Sequence, residues 1–318
     1  MKAIFFENNR VSLREFPKPV PSKGEALIKI ILAGICNTDL EILKGYMNFS
    51  GIPGHEFVGI VEESVDKYLI GKRVIGEINA GCGVCGRCRN GDPRHCAGRT
   101  VLGILNHDGA FAEYLTLPVE NLIEVPDNIS DETAVLVEPL AAATQIADQV
   151  KIKKSNPVLI VGDGKLGLLI AAAMESAGAS VTLLGHHKER NMIMLPSITN
   201  ISNTEEALTN GKYPIIIEAS GRPAGFNTAM NLLEPEGTLV LKSTFASSSG
   251  INAAEIVVNE FRIIGSRCGR FKPAIEALST GRIRIPRGYI EDIFALENFK
   301  QAIECAQKKG ALKVLLKP

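Results

Sequence analysis

The chain has 318 residues, a length that favours two domains over one core. Thirty-five Lys and Arg balance 35 Asp and Glu, so the totals hold no broad charged footprint for nucleic acid or anionic lipid. With 45% hydrophobic and 22% charged residues the composition excludes wholesale disorder, and 30 Gly against 5% aromatics suit tight turns and small-molecule chemistry better than a large recognition surface.

The first third is strand-rich. Met1 to Phe6, Glu25 to Leu32, Phe57 to Glu63 and Arg73 to Ile78 are short β-branched or alternating segments parted by turns such as Pro21-Ser22-Lys23-Gly24. From Pro157 onward strands and helices alternate: Val158 to Val161, Leu166 to Ala177, Val181 to Leu184, Pro214 to Glu218, Ala224 to Leu233 and Thr238 to Lys242. That alternation predicts a parallel sheet with helices on both faces. A helix over Phe271 to Leu278, another over Leu296 to Lys309 and a last strand over Leu312 to Leu316 complete the chain. The plan is an α/β protein: a β-rich domain, 1–138 and 268–318, interrupted by a doubly wound domain, 139–267. The most apolar stretch, Leu166 to Met174, is closed by Lys165 and Glu175, too short to cross a bilayer. The first residues turn charged too soon for a signal peptide, so a cytoplasmic chain without a membrane partner is expected.

Seven cysteines are present, and four crowd into Cys82-Gly83-Val84-Cys85-Gly86-Arg87-Cys88 and Cys96. In a reducing compartment this reads as metal ligation rather than a disulfide framework. Thiolates at these intervals can wrap one tetrahedral zinc and leave it no open position, which makes the site structural. The bacterial iron–sulfur run closes after three residues and before a Pro, whereas here seven intervene and Ala97 follows.

The run Val158 to Gly167 is an apolar strand entering a glycine turn and a helix. Gly162 permits the turn, Gly164 lets backbone approach a pyrophosphate, and Gly167 lets helix and strand pack, with Lys165 and Leu166 opening the helix towards the anion. About 20 residues on, a carboxylate ordinarily grips the adenosine ribose. The strand ends instead in Gly185, followed by His186, His187, Lys188 and Arg190. A neutral strand end flanked by cationic groups favours a 2′-phosphate, hence NADP over NAD; the competing reading is a solvated basic loop. A last group is dispersed: Cys36-Asn37-Thr38-Asp39, Gly54-His55-Glu56 and Val137-Glu138-Pro139. Each alone reads as packing.

In order and together, these pieces resemble the zinc-dependent medium-chain dehydrogenase/reductase family, the alcohol, sorbitol and threonine dehydrogenase relatives. The motifs are Gly34 to Asp39, Pro53 to Gly59, the four-cysteine lobe, Asp108 to Tyr114, Glu138-Pro139-Leu140, the glycine turn and Leu312-Lys313-Val314. The resemblance implies a Rossmann domain inserted in a GroES-like catalytic domain, and two zinc ions per chain. It implies a catalytic zinc on Cys36 and His55 with Glu56 or Glu138 as carboxylate ligand, and Asp39 behind the ligand histidine. Thr38 is the implied proton carrier; where many relatives end the relay in a His this chain reads Leu40-Glu41-Ile42, so Glu41 or water takes that place. Lys313 and Arg267 are implied at the dinucleotide. The activity implied is hydride transfer between a nicotinamide cofactor and an alcohol or polyol, or its aldehyde or ketone, by a homodimer or homotetramer. The rivals are a zinc-free quinone or enoyl reductase of the same superfamily and a nonenzymatic zinc-binding interaction protein.

Overall fold

Strands covered on both faces read as unbroken apolar runs, and Val158-Leu159-Ile160-Val161 is one. In the computed structural model, which describes residues 1–8, 10–45, 48–187, 195–244 and 252–318, Pro157–Val161 is an interior strand buried at all but its first position. Its sheet has six parallel strands in the order Thr199–Ile201, Ser180–Leu184, Pro157–Val161, Tyr213–Glu218, Leu233–Leu241, Arg262–Gly265. In sequence terms that order is 3-2-1-4-5-6, the doubly wound arrangement in which ligands bind beyond the strand ends where the order reverses. The reversal falls between Pro157–Val161 and Tyr213–Glu218, beside the glycine turn.

The helix Lys165–Ser176 follows that turn, and eight of its residues from Gly167 to Met174 are buried. Gly167 sits so close to the strand that a Cβ there would lie 1.9 Å from the Gly162 carbonyl oxygen.

The second architecture is a mostly antiparallel seven-stranded sheet. Its path runs Ile290–Ala295, Lys313–Lys317, Glu25–Ile35, Glu56–Ser64, Arg73–Gly76, Leu122–Glu124, with Tyr114–Pro118 also pairing Glu25–Ile35. The eleven-residue Glu25–Ile35 strand has three strand partners, and its register sets Gly34 opposite Glu56 and Ile35 opposite Val314.

The chain divides into two compact units: Met1–Glu138 with Phe271–Ser279 and Ile290–Pro318, and Pro139–Arg270 with Thr280–Tyr289. The expected single return at 268 is thus interrupted, because Thr280–Tyr289 groups with the doubly wound unit. There Tyr289 is buried and its hydroxyl donates to the Lys165 carbonyl at 2.9 Å. The helix expected over Leu296 to Lys309 is a 3-10 turn, Leu296–Asn298, leading into Phe299–Gln307. Among the described residues no helix is long and apolar enough to cross a membrane.

Gly167→Ala drives a methyl into backbone that cannot retreat. We expect a loss of ~1–3 kcal/mol, the usual range for overpacking, read as a lowered urea midpoint.

Candidate functional site

The end of the Glu25–Ile35 strand feeds a short helix, Asn37–Ile42, and Cys36 is the residue between them. The Cys36 backbone N–H donates to Asp39 Oδ2 at 2.8 Å, which fixes the helix start and carries Asp39 inward. The neighbouring strand begins at Glu56, so His55 and Glu56 arrive beside Cys36 from the adjacent ladder. Ligand atoms of Cys36, His55 and Glu56 all lie within 4.8 Å of one another. Zinc bonds of about 2.0–2.3 Å bring such donors to roughly 3.5 Å apart, so small side-chain movements close the trio on one ion.

Asp39 stands behind His55, its Oδ1 3.3 Å from the ring Nδ1, with both residues almost wholly buried. The approach is close enough for a charge contact but off the hydrogen-bond direction, leaving both atoms without a hydrogen-bond partner among the described residues. Burial alone would push the imidazole pKa down. The Asp39 carboxylate and the Cys36 sulfur outweigh it and hold the pKa well above its usual value. Orphaned buried polar atoms of this kind are what a bound ion resolves: once metal takes the other ring nitrogen, Nδ1–H can turn onto Asp39. The residues present therefore fit zinc. Thr38 is half-buried, with Oγ1 3.7 Å from Cys36 Sγ.

The structure gives the surroundings of three further residues of the expected site. Lys313, expected at a pyrophosphate, is 2% exposed and donates from Nζ to Glu56 Oε1 at 2.7 Å and Oε2 at 2.5 Å, with the Ile35 carbonyl at 3.3 Å. An ammonium at that depth requires a buried anion, and Glu56 provides it. A carboxylate has about four lone-pair sites, so Glu56 can serve Lys313 and a metal together. Gly34 makes room, since a Cβ there would meet Glu56 Oε2 at 2.2 Å. Glu138, in the first turn of the helix Val137–Gln149, stands outside the Cys36–His55–Glu56 trio. Glu41 is exposed and pairs with Lys44 at 2.8 Å, so its contact is with a surface lysine rather than Thr38.

Cys82, Cys85, Cys88 and Cys96 form the second donor group, again within 4.8 Å of one another. A short helix, Gly86–Arg89, and a 3-10 turn, Pro93–His95, aim the last sulfurs inward, and Cys85 and Cys88 Sγ are 3.6 Å apart. Backbone N–H groups of Val84 and Cys85 pull the Cys82 thiol down to about 6, and those of Cys88 lower Cys85. Burial pushes Cys88 up to about 12. Four sulfurs that close, partly poised as thiolates, fit a structural zinc.

At the dinucleotide turn, Gly162 has φ +114° and its Cβ position would strike Ala219, while among the described residues nothing beyond the adjoining chain and its helix lies within 4 Å of the Cβ position of Gly164. Open space before the helix N-terminus at Gly164 fits a pyrophosphate. Lys165 and Leu166 are half-buried there. Gly185 is buried, His186 exposed and His187 half-buried; Lys188 and Arg190 lie outside the described residues. Sequence reasoning passed over Asp163, a variable position of the glycine pattern. It is 5% exposed, and accepts from His187 N–H and His187 Nδ1, each at 2.8 Å. Burial works against its ionisation, but these His187 contacts prevail and hold the carboxyl below the usual range. Arg267 is exposed; its carbonyl accepts from Lys242 Nζ at 2.7 Å.

A dinucleotide-type sheet together with a GroES-like unit carrying two zinc-type donor sets defines a zinc-dependent oxidoreductase. Residues 22–127 match the family description "Alcohol dehydrogenase GroES-like domain" and residues 166–280 match "Zinc-binding dehydrogenase". The chain belongs to this family, the zinc-dependent medium-chain dehydrogenases. It is 30% identical to the starvation-sensing protein RspB of Escherichia coli, over 99% of each chain. It is 28% identical to a sorbitol dehydrogenase of Halalkalibacterium halodurans, over 96% and 95%. A crystal structure of rspB from E. coli, described as complexed with cofactor NADH, matches with TM-score 0.91 at 30% identity over 100% and 99% of the two chains. A zinc-binding dehydrogenase of Sinorhizobium meliloti bound to NADP matches with TM-score 0.89 at 27% identity, over 100% and 99%.

Removing one partner of a buried ion pair ordinarily costs ~3–5 kcal/mol. Lys313→Met is expected to lose about that much in the metal-free protein, measured by urea unfolding, with part regained on adding zinc. An unchanged midpoint would mean Glu56 carries no charge there.

Proposed function

We propose that the chain catalyses reversible hydride transfer between a nicotinamide dinucleotide, NADP in preference to NAD, and an alcohol or polyol, or the corresponding aldehyde or ketone. The observation that carries this reading is the Cys36–His55–Glu56 trio with Asp39 behind it. Cys36, His55 and Glu56 would hold the catalytic zinc, with Glu138 as the exchangeable second carboxylate. A zinc ion so held acts as a Lewis acid, making a bound hydroxyl acidic near neutral pH and polarising a bound carbonyl. Asp39 keeps the His55 ring in place. Thr38 Oγ1 takes the substrate proton and hands it on to Glu41 or to water, Glu41 lying exposed beside Lys44. Gly162, Gly164 and Gly167 seat the pyrophosphate on the helix N-terminus, with Lys165 and Leu166 at its opening. Gly185 to His187, with Lys188 and Arg190 following in sequence, border the adenosine end. Cys82, Cys85, Cys88 and Cys96 would keep the second zinc as a structural clamp.

A cytosolic setting agrees with cysteines grouped for metal rather than disulfides. A homodimer or homotetramer is supported by Arg262–Gly265 lying at the end of the sheet order and by exposed Val257 and Val258 nearby in sequence.

We expect two zinc ions per chain by metal analysis, one removed by mild chelation with loss of nicotinamide-linked activity and the other kept until unfolding. One tight zinc with nucleotide still bound would favour the zinc-free reductase. Zinc without nucleotide binding would favour the interaction protein. Nicotinamide absorbance with both cofactors across alcohols, polyols, hydroxy amino acids and aldehydes then assigns the substrate class.

A further inference from the structure

Gly185 ends the strand Ser180–Leu184, where dinucleotide-binding sheets ordinarily carry a carboxylate for the adenosine ribose. By sequence the position is neutral, but the space around it is not. A Cβ built on Gly185 would lie 2.1 Å from Asp163 Cγ, 2.2 Å from Oδ2 and 2.3 Å from Cβ. The carboxyl group of Asp163, reaching over from the glycine turn, fills the volume in which a strand-end side chain would begin. Both its oxygens are engaged by one residue: Oδ2 accepts the His187 backbone N–H and Oδ1 faces His187 Nδ1. With Asp163 ionised, that contact places the ring proton on Nδ1. His187 Nε2 is then left buried with no hydrogen-bond partner among the described residues.

We propose that Asp163 replaces the missing strand-end carboxylate as the acidic group beside the adenosine ribose, and that His187 masks its charge, so the pair decides between a 2′-phosphate and a 2′-hydroxyl. The inference rests on the proposed reading of the glycine turn as a dinucleotide site. A bare carboxylate accepts from a 2′-hydroxyl and repels a 2′-phosphate. Covered by His187, the same carboxylate is screened by an imidazole whose partnerless Nε2 can accept from a hydroxyl or, protonated, donate to a phosphate. Asp163 is the natural counter-ion for the protonated ring, so it supports phosphate binding through His187 while opposing it when His187 is gone. If the pair served only to close the turn, the two cofactors would suffer alike from its loss.

The test is fluorescence titration of the zinc-loaded protein, without substrate, with NADPH and with NADH. Wild type, His187→Gln, Asp163→Asn and the double variant are compared, urea midpoints reporting their folding. The wild type is expected to bind NADPH more tightly. His187→Gln should weaken NADPH relative to NADH at least tenfold. Asp163→Asn, which leaves the ring without its counter-ion, should also weaken NADPH relative to NADH, at least threefold. In the double variant the His187→Gln penalty on NADPH should vanish, since no charge remains to be masked. If Asp163→Asn does not fold, His187→Gln alone decides. A preference moving less than threefold in each folded single variant, or in the opposite sense, overturns the inference while leaving the dinucleotide reading intact. A wild type that binds neither nucleotide overturns both.

Discussion

Two carboxylates, Asp39 and Glu56, are placed where water does not reach, and the catalytic unit is arranged around neutralising them. Burying an ion costs several kcal/mol unless an opposite charge accompanies it. Glu56 receives Lys313, while Asp39 faces His55 at a distance and angle that leave both atoms unsatisfied. In formal charges a Cys36 thiolate with Asp39 and Glu56 makes three negatives, and Lys313 returns one positive. A divalent ion brings the sum to zero with His55 neutral, so the pocket is electrically completed by the species that its donor atoms can coordinate. The buried lysine matters to that balance: without it, the same donors would hold an excess negative charge even with zinc bound.

The geometry follows from one strand. Glu25–Ile35 is paired on one edge with Glu56–Ser64 and on the other with Lys313–Lys317, so its C-terminal end is the place where Cys36, Glu56 and Lys313 meet. A one-residue slip against either neighbour would turn the site residues to the opposite face. Gly34 is the steric condition for the arrangement, because any side chain there would occupy the position of the Glu56 carboxylate. Fold and site therefore impose the same demands on this strand.

What sequence made legible was local. The four-cysteine lobe declares itself because its ligands lie within fifteen residues and a single ion explains their spacing. The glycine turn does so because strand, turn and helix are contiguous, and the observed elements begin within a residue or two of those expected. The Cys36, His55 and Glu56 trio was reached only through resemblance, since residues joined by sheet register leave no short pattern. The Lys313 pairing was missed for the same reason: its partner is 257 residues away, and an isolated lysine in an apolar strand carries no mark of its partner. The Glu41 contact was equally illegible: Lys44, which engages it on the helix surface, lies three residues on and forms no motif with it.

Asp163 shows why the absence of a residue type at one position is weak evidence about charge. The strand-end argument treats position 185 as the only source of a carboxylate, but side chains occupy space rather than alignment columns, and the glycine turn runs alongside that strand end. Because the Asp163 carboxyl group occupies the space where a Cβ of residue 185 would stand, the two positions constrain each other: an acid in the turn requires glycine on the strand. Gly185 is then a steric consequence of Asp163 as well as a missing acid. The sign of the local field is set by what stands over that carboxylate, and His187 is held there by two contacts of 2.8 Å.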